Sequence, residues 1–409
     1  MVWTDRMLTA LEEGVKGDVW FSLMDKVYAS RGLRAAWDRV RANHGSAGVD
    51  RETVERFSRK QDAGLEELGR QLREGSYQPL PVRRVYIPKP DGRQRPLGIP
   101  AVKDRVVQAS LRQVLEPIFE AEFAEHSYGF RPGRGAKDAL RRVDRLLKEG
   151  YAFVVDADLK SYFDTIPHDR LMTLVRQRVA DGRVLSLVEA FLNQGVLEDM
   201  KEWKPTAGTP QGAVISPLLS NLYLHPLDVL MWNAGYEMTR YADDFVVQCR
   251  TADEAERAMA MIRAWVEEVG LTLHPQKTRI VEARENAFEF LGYRFERGRH
   301  GPRAGSLKKF KDTIRTKTRR NNGQSMTAII GSVNRTTRGW FAYFQHSPRT
   351  IFGSLDGWIR MRLRSILRRR HGRRGRGRGT DHNRWTNAFF VDLGFFSMQA
   401  AHVSACQSR

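Results

Sequence analysis

The sequence predicts an α+β protein in which an antiparallel sheet packs with helices and a helical region follows. One apolar stripe at helical spacing lies within the first 75 residues, at Leu65, Leu68 and Leu72. Two short apolar runs have the length and composition of strands. One begins at residue 151 and the other spans residues 236–249. Residues 299–370 have helical patterns again. The 41% apolar content over 409 residues is ample for two or three packed units.

Two adjacent acids, Asp243 and Asp244, interrupt the strand-like run at residues 236–249. They follow Tyr241 and Ala242 at the point where two apolar segments meet, which predicts the tip of a β-hairpin. Neighbouring carboxylates repel each other, and such a position over a half-buried sheet is costly unless a cation is bound. A solvated turn is the alternative, because Asp is a common turn residue.

A second acidic strand end lies earlier in the chain, at Asp156 and Asp158. Because these residues are two apart on a predicted strand, both side chains point to one face of it. Pro167 follows, and proline suits the first turn of a helix. Oxygen ligands from separate segments are what Mg²⁺ needs, since it keeps waters and substrate phosphates as its other ligands.

A glycine- and proline-containing loop lies between the two acidic sites, at residues 208–212. The apolar residues 214–224 that follow are predicted to form a helix. Gly212 allows the backbone to come close to a ligand. A tight loop before a core helix explains the same pattern equally well. The loop is informative because it lies between the two acidic sites.

These segments, in this order, resemble reverse transcriptases of the group II intron type. Further blocks similar to those of the family occur at residues 45–50, 83–100, 127–134, 271–278 and 288–295. Eight ordered blocks over about 250 residues form a specific signal, whereas each block alone is weak.

The resemblance implies a right-hand polymerase, with fingers and palm on an antiparallel sheet, followed by an α-helical thumb or maturase domain. It also implies RNA-directed DNA polymerase activity on an RNA template, with a DNA or RNA primer and dNTPs. The predicted divisions are residues 1–150 for an N-terminal extension and fingers with part of the palm, 151–298 for the palm, 299–370 for the thumb or maturase domain, and 371–409 for an Arg/Gly-rich loop and a short C-terminal element.

The resemblance assigns a metal site to Asp158, Asp243 and Asp244, together with the backbone carbonyl of Leu159. Two Mg²⁺ ions, or Mn²⁺ as a substitute, are expected there. Lys277 is expected to protonate the leaving pyrophosphate. Asp156 is the competing ligand on the same strand face, and the family spacing favours Asp158.

The resemblance also assigns a nucleotide site. Lys89 and Arg95 are expected to hold the triphosphate through charge-assisted hydrogen bonds. Phe163 is expected under the sugar, where it excludes a 2′-hydroxyl, and Gln211 is expected to contact nucleotide or template. Each has a structural alternative: a core position for Phe163, a turn flank for Lys89, a structural role for Gln211 and a solvated loop for Lys277.

The net charge of +20 is unevenly distributed. Residues 297–379 contain 23 Lys and Arg but only two acids, a local net charge of +21, which leaves 45 basic and 46 acidic residues elsewhere. Such a basic region predicts a polyanion-binding surface. The residues of this region that are predicted to contact nucleic acid are Arg360, Arg362, Arg364, Arg368, Arg369, Arg370, Arg373 and Arg374. Outside the region, the same contact is predicted for Arg83, Arg131 and Arg134.

The basic region also contains aromatic residues, among them Trp340 and Phe352. At helical spacing these are more often core residues than base-stacking platforms. The Arg/Gly-rich run at residues 368–378 cannot bury a core, so we expect a flexible loop that orders on RNA or DNA; a solubilising or targeting segment is the alternative. Residues 383–398 are apolar again and are expected to dock as a small element.

Several features exclude other classes of protein. Two cysteines, Cys249 and Cys406, permit neither a disulfide framework nor a four-cysteine zinc site, so we expect a member of the family without the zinc-supported endonuclease. No apolar run reaches 18 residues and no secretory signal opens the chain, which predicts a cytosolic protein without a membrane partner. The resemblance also implies a second activity, binding of intron RNA to assist splicing and mobility. The alternatives are a relative that acts in DNA repair or phage defence, and a splicing cofactor with an idle polymerase site.

Overall fold

The computed structural model describes residues 3–88, 92, 94–198, 201–203, 206–377 and 379–407. The chain divides into two compact units. Unit one comprises residues 1–146 and 153–280, and unit two comprises residues 147–152 and 281–409. The finer division of unit one into fingers and palm stays a prediction.

Unit one combines helices with two sheets. Its helices are α1 (Asp5–Glu13), α2 (Met24–Val27), α3 (Ser30–Ala42), α4 (Val54–Arg59), α5 (Gln61–Glu74), α6 (Val102–Glu120), α7 (Ala136–Lys148, which ends in unit two), α8 (Tyr162–Thr165), α9 (His168–Arg176), α10 (Gly182–Leu192), α11 (Ser216–Asn233) and α12 (Ala252–Glu268). Its strands are β1 (Val82–Pro88), β2 (Gln94–Ile99), β3 (Phe153–Asp158), β4 (Val196–Glu198), β5 (Lys201–Trp203), β6 (Glu237–Tyr241) and β7 (Asp244–Cys249), and β8 (Arg279–Glu282) begins there.

The leucine stripe is confirmed. Leu65, Leu68 and Leu72 lie on α5 and are buried in the hydrophobic core of unit one. The helix ends at Gly75, which has a left-handed φ of 76° and donates its backbone N–H to the carbonyl of Gln71. Glycine adopts this conformation without the steric cost that a Cβ imposes, so the sequence itself stops the helix there.

The central sheet of unit one has the order β6-β7-β3-β8. Strands β6 and β7 form the predicted hairpin, and β7 also pairs antiparallel with β3. Val154, Val155 and Ala157 of β3 are buried, because this strand lies between neighbours and contributes to the core. The sheet therefore brings the two acidic segments, which lie about 85 residues apart in sequence, onto adjacent strands.

A second sheet has the order β2-β1-β4-β5. Strands β1 and β2 pair antiparallel, with Ile87 opposite Arg95, and β1 runs parallel to β4. The loop that carries Gln211 packs against β2, because the backbone N–H of Gly98 donates to the carbonyl of Gln211 at 2.8 Å. This contact fixes the Gln211 loop to the β1–β2 hairpin.

Unit two is largely helical. It contains the small sheet of β9 (Phe288–Phe290), β10 (Tyr293–Glu296) and β11 (Arg299–Pro302), and the helices α13 (Ala304–Lys317), α14 (Met326–Phe344), α15 (Arg349–Arg370), α16 (Asp381–Arg384), α17 (Asn387–Asp392) and α18 (Met398–Gln407). Its core is aromatic: the ring of Trp340 lies 4.6 Å from that of Phe310, and Phe352 is fully buried. The prediction that these aromatic residues belong to the core is confirmed.

The C-terminal residues dock into unit two, as expected. Phe390, Phe395 and Met398 are buried in its core. Asp356 on α15 is fully buried and accepts hydrogen bonds from Ser397 Oγ and the backbone N–H of Met398 and Gln399. Within the described part of the chain, no helix is both long and apolar enough to cross a membrane.

Candidate active site

The acids of the two strands meet at one end of the central sheet. Asp158 is the last residue of β3 and lies directly opposite Asp244, the first residue of β7. Opposed residues on neighbouring strands project to the same face of a sheet. Asp243 precedes Asp244 in the turn that follows Tyr241, so the three acidic residues lie at the same end of the sheet.

The turn has an unusual backbone. Ala242 has a positive φ of 59°, a conformation that is costly for a residue with a Cβ and is often found at functional sites. Its carbonyl oxygen accepts a hydrogen bond from Nη1 of Arg240 at 2.9 Å. This hydrogen bond therefore holds the turn at the residue immediately before Asp243.

Asp243 lies in an electrostatically unfavourable position. Burial raises the pKa of its carboxyl group above the ordinary value, and the charge of Asp158 raises this pKa further. The charges of Arg95 and Arg240 act in the opposite direction. A bound cation would relieve both the burial cost and the repulsion.

Lys277 contacts the acidic site directly. Its Nζ donates to Oδ2 of Asp158 at 2.6 Å. The segment that carries Lys277 is aligned by β-type contacts, since the backbone N–H of His274 donates to the carbonyl of Asp158 and Leu159 bridges to Leu273. An ammonium group thus occupies one oxygen of the predicted metal ligand, which shows that this oxygen is accessible to a cation.

Asp156 has different surroundings from Asp158. It lies opposite Val246, two positions further from the turn, and its Oδ2 is 3.6 Å from Nε of Arg279. The strand register therefore separates Asp156 from the carboxylates at the end of the sheet. This observation favours Asp158 as the ligand.

The donor set suits a hard divalent cation. Carboxylate side chains lie at one end of the sheet, one of them already contacts a cationic group, and burial and the charge of Asp158 raise the pKa of Asp243. Among the described residues, no group of three or more His, Cys, Asp or Glu side chains is already arranged to hold a metal ion. A bound ion would therefore have to draw the carboxylates together and displace Lys277 from Asp158.

Phe163 lies close to these acids in sequence and lines a cavity of about 430 Å³ that also contains Asp164 and Gln211. Its side chain is half-buried and packs against the core of unit one. The ring of Phe130 approaches it edge-on at 6.5 Å, and Tyr162 contacts it at 5.4 Å. The ring is thus partly supported by the core and partly open to the cavity.

Gln211 and the predicted phosphate-binding residues have different outcomes. Nε2 of Gln211 donates to Oδ2 of Asp164 at 3.2 Å, and its side chain lines the cavity. Arg95 is exposed on β2, and its charge acts on Asp243. Lys89 lies outside the described residues.

The structure differs from the prediction for Arg131. This side chain is buried, and its guanidinium group bonds to Glu120 and to the carbonyls of Ala124 and Ser127. Its hydrogen-bonding capacity is spent inside the protein, so it braces a loop rather than facing nucleic acid. Arg83 and Arg134 each donate to one backbone carbonyl, of Ala47 and Glu125 respectively.

Arg364 in unit two also differs from the prediction. It is buried, and its guanidinium group bonds to the carbonyl of Trp385 and to Oδ1 of Asn387. Arg362 donates to Oγ1 and the carbonyl of Thr318. These two side chains therefore hold helix ends and loops together.

The remaining predicted arginines divide into two groups. Arg368 forms an ion pair with Asp381, and Arg360 lies 5.9 Å from the ring of Phe395. The exposed group comprises Arg369, Arg370, Arg373 and Arg374. The exposed group is the part of the prediction that retains a surface open to nucleic acid.

The Arg/Gly-rich run is more ordered than we expected. Residues 368–370 end α15, and Nε of Arg368 donates to the carbonyl of Arg374. Gly377 is buried against Arg364, where an added Cβ would lie 2.4 Å from its Cβ. The run therefore folds back onto the helix, because its glycines allow close backbone approach. Arg378 lies outside the described residues.

A buried ion pair beside the turn was not predicted from the sequence. Arg240 and Asp228 are both 0% exposed and bond to each other through Nε and Oδ1 at 2.8 Å. The available signal was an arginine within the apolar strand run at residues 236–249, because a charge in a buried strand requires a partner. A single sequence does not identify that partner.

Comparisons with known proteins extend these observations. The profile of the reverse transcriptase (RNA-dependent DNA polymerase) family matches residues 87–295. The profile of the group II intron maturase-specific domain matches residues 307–385. The first match contains Asp158, Asp243 and Asp244, and the second contains most of unit two.

Curated relatives are similar over different shares of their length. Protein YkfC of Escherichia coli is 35% identical over 325 residues, which cover 70% of this chain and 84% of YkfC. The group II intron-encoded protein LtrA of Lactococcus lactis is 38% identical over 196 residues, 47% of this chain but only 32% of LtrA. A partial Cas6-RT-Cas1–Cas2 complex matches 61% of this chain and 42% of its own at 22% identity, with a TM-score of 0.39, which supports no inference about this chain.

Proposed function

Because the chain belongs to the reverse transcriptase family of RNA-directed DNA polymerases and carries a group II intron maturase-specific domain, we propose that its acidic site performs two-metal nucleotidyl transfer. The observation that carries the proposal is the register of the central sheet. It places Asp158 opposite Asp244, which directly follows Asp243 in the chain. The pKa of Asp243 is raised by burial and by the charge of Asp158.

In this proposal, the carboxylates of Asp158, Asp243 and Asp244 hold the ions, with the carbonyl of Leu159 as a further ligand. Bound Mg²⁺ or Mn²⁺ supplies activation of the primer 3′-hydroxyl and stabilisation of the leaving pyrophosphate. Lys277, which contacts Asp158, would be placed to give its ammonium proton to the leaving pyrophosphate.

The remaining side chains bind and orient the nucleotide. Arg95, together with Lys89, holds the triphosphate, and the exposed position of Arg95 leaves its donors available. Phe163 meets the sugar from the cavity it lines and leaves no room for a 2′-hydroxyl. Gln211 contacts the nucleotide or template from a loop that is anchored to β2.

The metal assignment is tested by primer extension with Asp158→Asn and a matched control. Both Asp156 and Asp158 lie on the same face of β3, so Asp156→Asn makes the same chemical change two positions away. We expect Asp158→Asn to lose extension by orders of magnitude and Asp156→Asn to stay near wild type. Loss in Asp156→Asn with normal extension in Asp158→Asn would transfer the ligand role to Asp156.

Binding of intron RNA by unit two is the second proposed activity. It is supported by the maturase-specific profile over residues 307–385 and by the local net charge of +21. A protein that binds such an RNA stabilises its fold where Mg²⁺ is too scarce to do so. The test is to look for intron RNA structure in the DNA around the gene and to measure splicing of such an RNA at low Mg²⁺ with and without protein. Absence of any dependence would favour a role in DNA repair or defence.

A further inference from the structure

We infer that Arg240, with Asp228 and Asn221, is a positioning residue that fixes the peptide joining Ala242 to Asp243, and so sets the geometry of the metal site. The inference rests on the proposed two-metal function. None of the three side chains is itself a proposed ligand, and all three are buried.

The guanidinium group of Arg240 makes bonds in three directions. Its Nε bonds to Asp228 Oδ1 at 2.8 Å, and its Nη1 bonds to Asn221 Oδ1 at 3.0 Å. The same Nη1 donates to the carbonyl oxygen of Ala242 at 2.9 Å. Because the guanidinium group is planar and rigid, the positions of Asp228 and Asn221 on α11 determine where the Ala242 carbonyl lies.

Asn221 and the backbone of Arg240 also hold a second segment against the turn. Nδ2 of Asn221 donates to the carbonyl of Gly129 at 2.7 Å. The backbone of Arg240 bonds to the same loop, accepting from the N–H of Tyr128 and donating to the carbonyl of His126, both at 2.9 Å. The loop at residues 126–129 is therefore bonded to the strand on one side and to α11 on the other.

Gly129 shows how closely this loop approaches the turn. A Cβ at this position would lie 2.2 Å from the backbone nitrogen of Ala242, so a glycine is required. The turn is thus confined from one side by the backbone of Gly129 and from the other by Arg240. Confinement on two sides explains how Ala242 is kept at a φ of 59° despite the steric cost.

The cost of the buried pair also argues for a positioning role. Two fully buried charges lose hydration, and apolar residues of similar volume often give equal or greater stability. His126 adds no compensating charge, because burial lowers its pKa to about 4 and its ring is therefore neutral at pH 7. A charged pair at this place is consequently better explained by the geometry it imposes than by the stability it adds.

The first test replaces Arg240 by lysine. The Arg240→Lys variant keeps the charge opposite Asp228 but cannot reach Asp228, Asn221 and Ala242 in one fixed plane. We expect single-turnover nucleotide addition to slow about 10²-fold, the effect of a displacement of about 1 Å at a reacting centre. The Mg²⁺ concentration for half-maximal rate should rise, while the Kd for primer–template stays unchanged.

The second test removes both charges. The double variant Arg240→Met/Asp228→Leu has no unpaired buried charge, so it addresses folding separately from position. We expect a melting temperature near wild type with the same slow addition and raised Mg²⁺ requirement. Restoration of wild-type rate and Mg²⁺ dependence would overturn the inference, because Arg240 would then only neutralise Asp228. If the double variant does not fold, a wild-type rate in Arg240→Lys overturns it equally.

A matched control is available in the same unit. Asp104 is also fully buried and bonded to Tyr77 and the backbone of Leu80, but it does not contact the turn. Asp104→Asn makes the same chemical change at a buried carboxylate away from the turn and should leave the Mg²⁺ requirement unchanged. Asp243→Asn separates the inference from the proposed function. Activity in Asp243→Asn would remove the two-metal assignment, whereas its loss alongside normal Arg240 variants would remove only the positioning role.

Discussion

Arg240 of unit one and the exposed arginines of unit two have opposite surroundings. In unit one, Arg240 is 0% exposed and is bonded on one side to Asp228 and on the other to the carbonyl of Ala242 in the turn. In unit two, Arg369, Arg373 and Arg374 are exposed, on a region with a net charge of +21. A metal site needs a few charges at defined distances, whereas tracking of a phosphate backbone needs many charges that tolerate variable contacts. Substitutions should therefore affect chemistry in unit one and affinity in unit two.

The largest expected effect is on Asp243. Asp243→Asn removes a proposed anionic ligand, so primer extension should fall by orders of magnitude. Because burial and the charge of Asp158 raise the pKa of Asp243, its charged form is unfavourable in the folded protein without metal. The melting temperature of Asp243→Asn in EDTA should therefore equal or exceed that of wild type. A marked loss of stability would show that the carboxylate has a structural role.

The same raised pKa predicts a pH dependence. A carboxyl group with a raised pKa keeps its proton to higher pH, and Mg²⁺ must displace that proton. The Mg²⁺ concentration for half-maximal rate should fall as pH rises through the pKa of Asp243 and level off above it. A requirement independent of pH would mean that Asp243 is already ionised throughout. Asp156→Asn is the control, and its profile should follow that of wild type.

Neutralisation of the exposed arginines should produce the next largest effect, on binding. A variant with Arg369, Arg373 and Arg374 changed to Gln should bind RNA more weakly and with less salt dependence. Each lost phosphate contact makes the negative slope of log K against log salt shallower by about 0.7–0.9. Single-nucleotide addition at saturating template should be unchanged, and product length should fall.

The matched control for that variant is the substitution of a buried arginine. Arg364→Gln changes a buried side chain bonded to Trp385 and Asn387. It should lower the melting temperature of unit two and leave the salt slope unchanged. An equal loss of slope in both variants would show that the exposed arginines have no special part in binding.

The smallest expected effect concerns sugar selection. Phe163→Val should raise the ratio of ribonucleotide to deoxynucleotide incorporation if the ring excludes a 2′-hydroxyl. Phe130 is 43% exposed, has a φ of 60° and supports Phe163 edge-on, so Phe130→Ala should raise the ratio by less. Full truncation of a core Phe costs about 3–5 kcal/mol. A lower melting temperature with an unchanged ratio would therefore make Phe163 a core residue only.

Local patterns predicted much of unit one. The leucine stripe of α5, the strand that ends at Asp158 and the hairpin with Asp243 depend on residues close in sequence, where periodicity and turn chemistry apply. The resemblance supplied the pairing of the two acidic segments, which periodicity does not give. The register of β3 with β7 then distinguishes Asp158 from Asp156.

The sequence did not predict which distant groups bond to the buried arginines. Arg131 and Arg364 look like surface arginines in a basic chain, but their guanidinium groups are bonded to internal carbonyl and side-chain oxygens. Likewise, nothing local indicates that Arg240 meets Asp228. Whether an arginine faces solvent depends on which oxygens the fold brings near it, and this information is not in a single sequence.

Direct measurement of metal binding tests the central claim, that the carboxylates at the end of the central sheet hold the catalytic ions. Mn²⁺ would be titrated into wild type, Asp158→Asn, Asp243→Asn and Asp156→Asn, each with primer–template and dNTP, and the bound ion followed by electron paramagnetic resonance. We predict that affinity falls at least about tenfold, equivalent to about 1.4 kcal/mol, in Asp158→Asn and Asp243→Asn but not in Asp156→Asn. Undiminished Mn²⁺ binding in both of the first two variants would contradict the account.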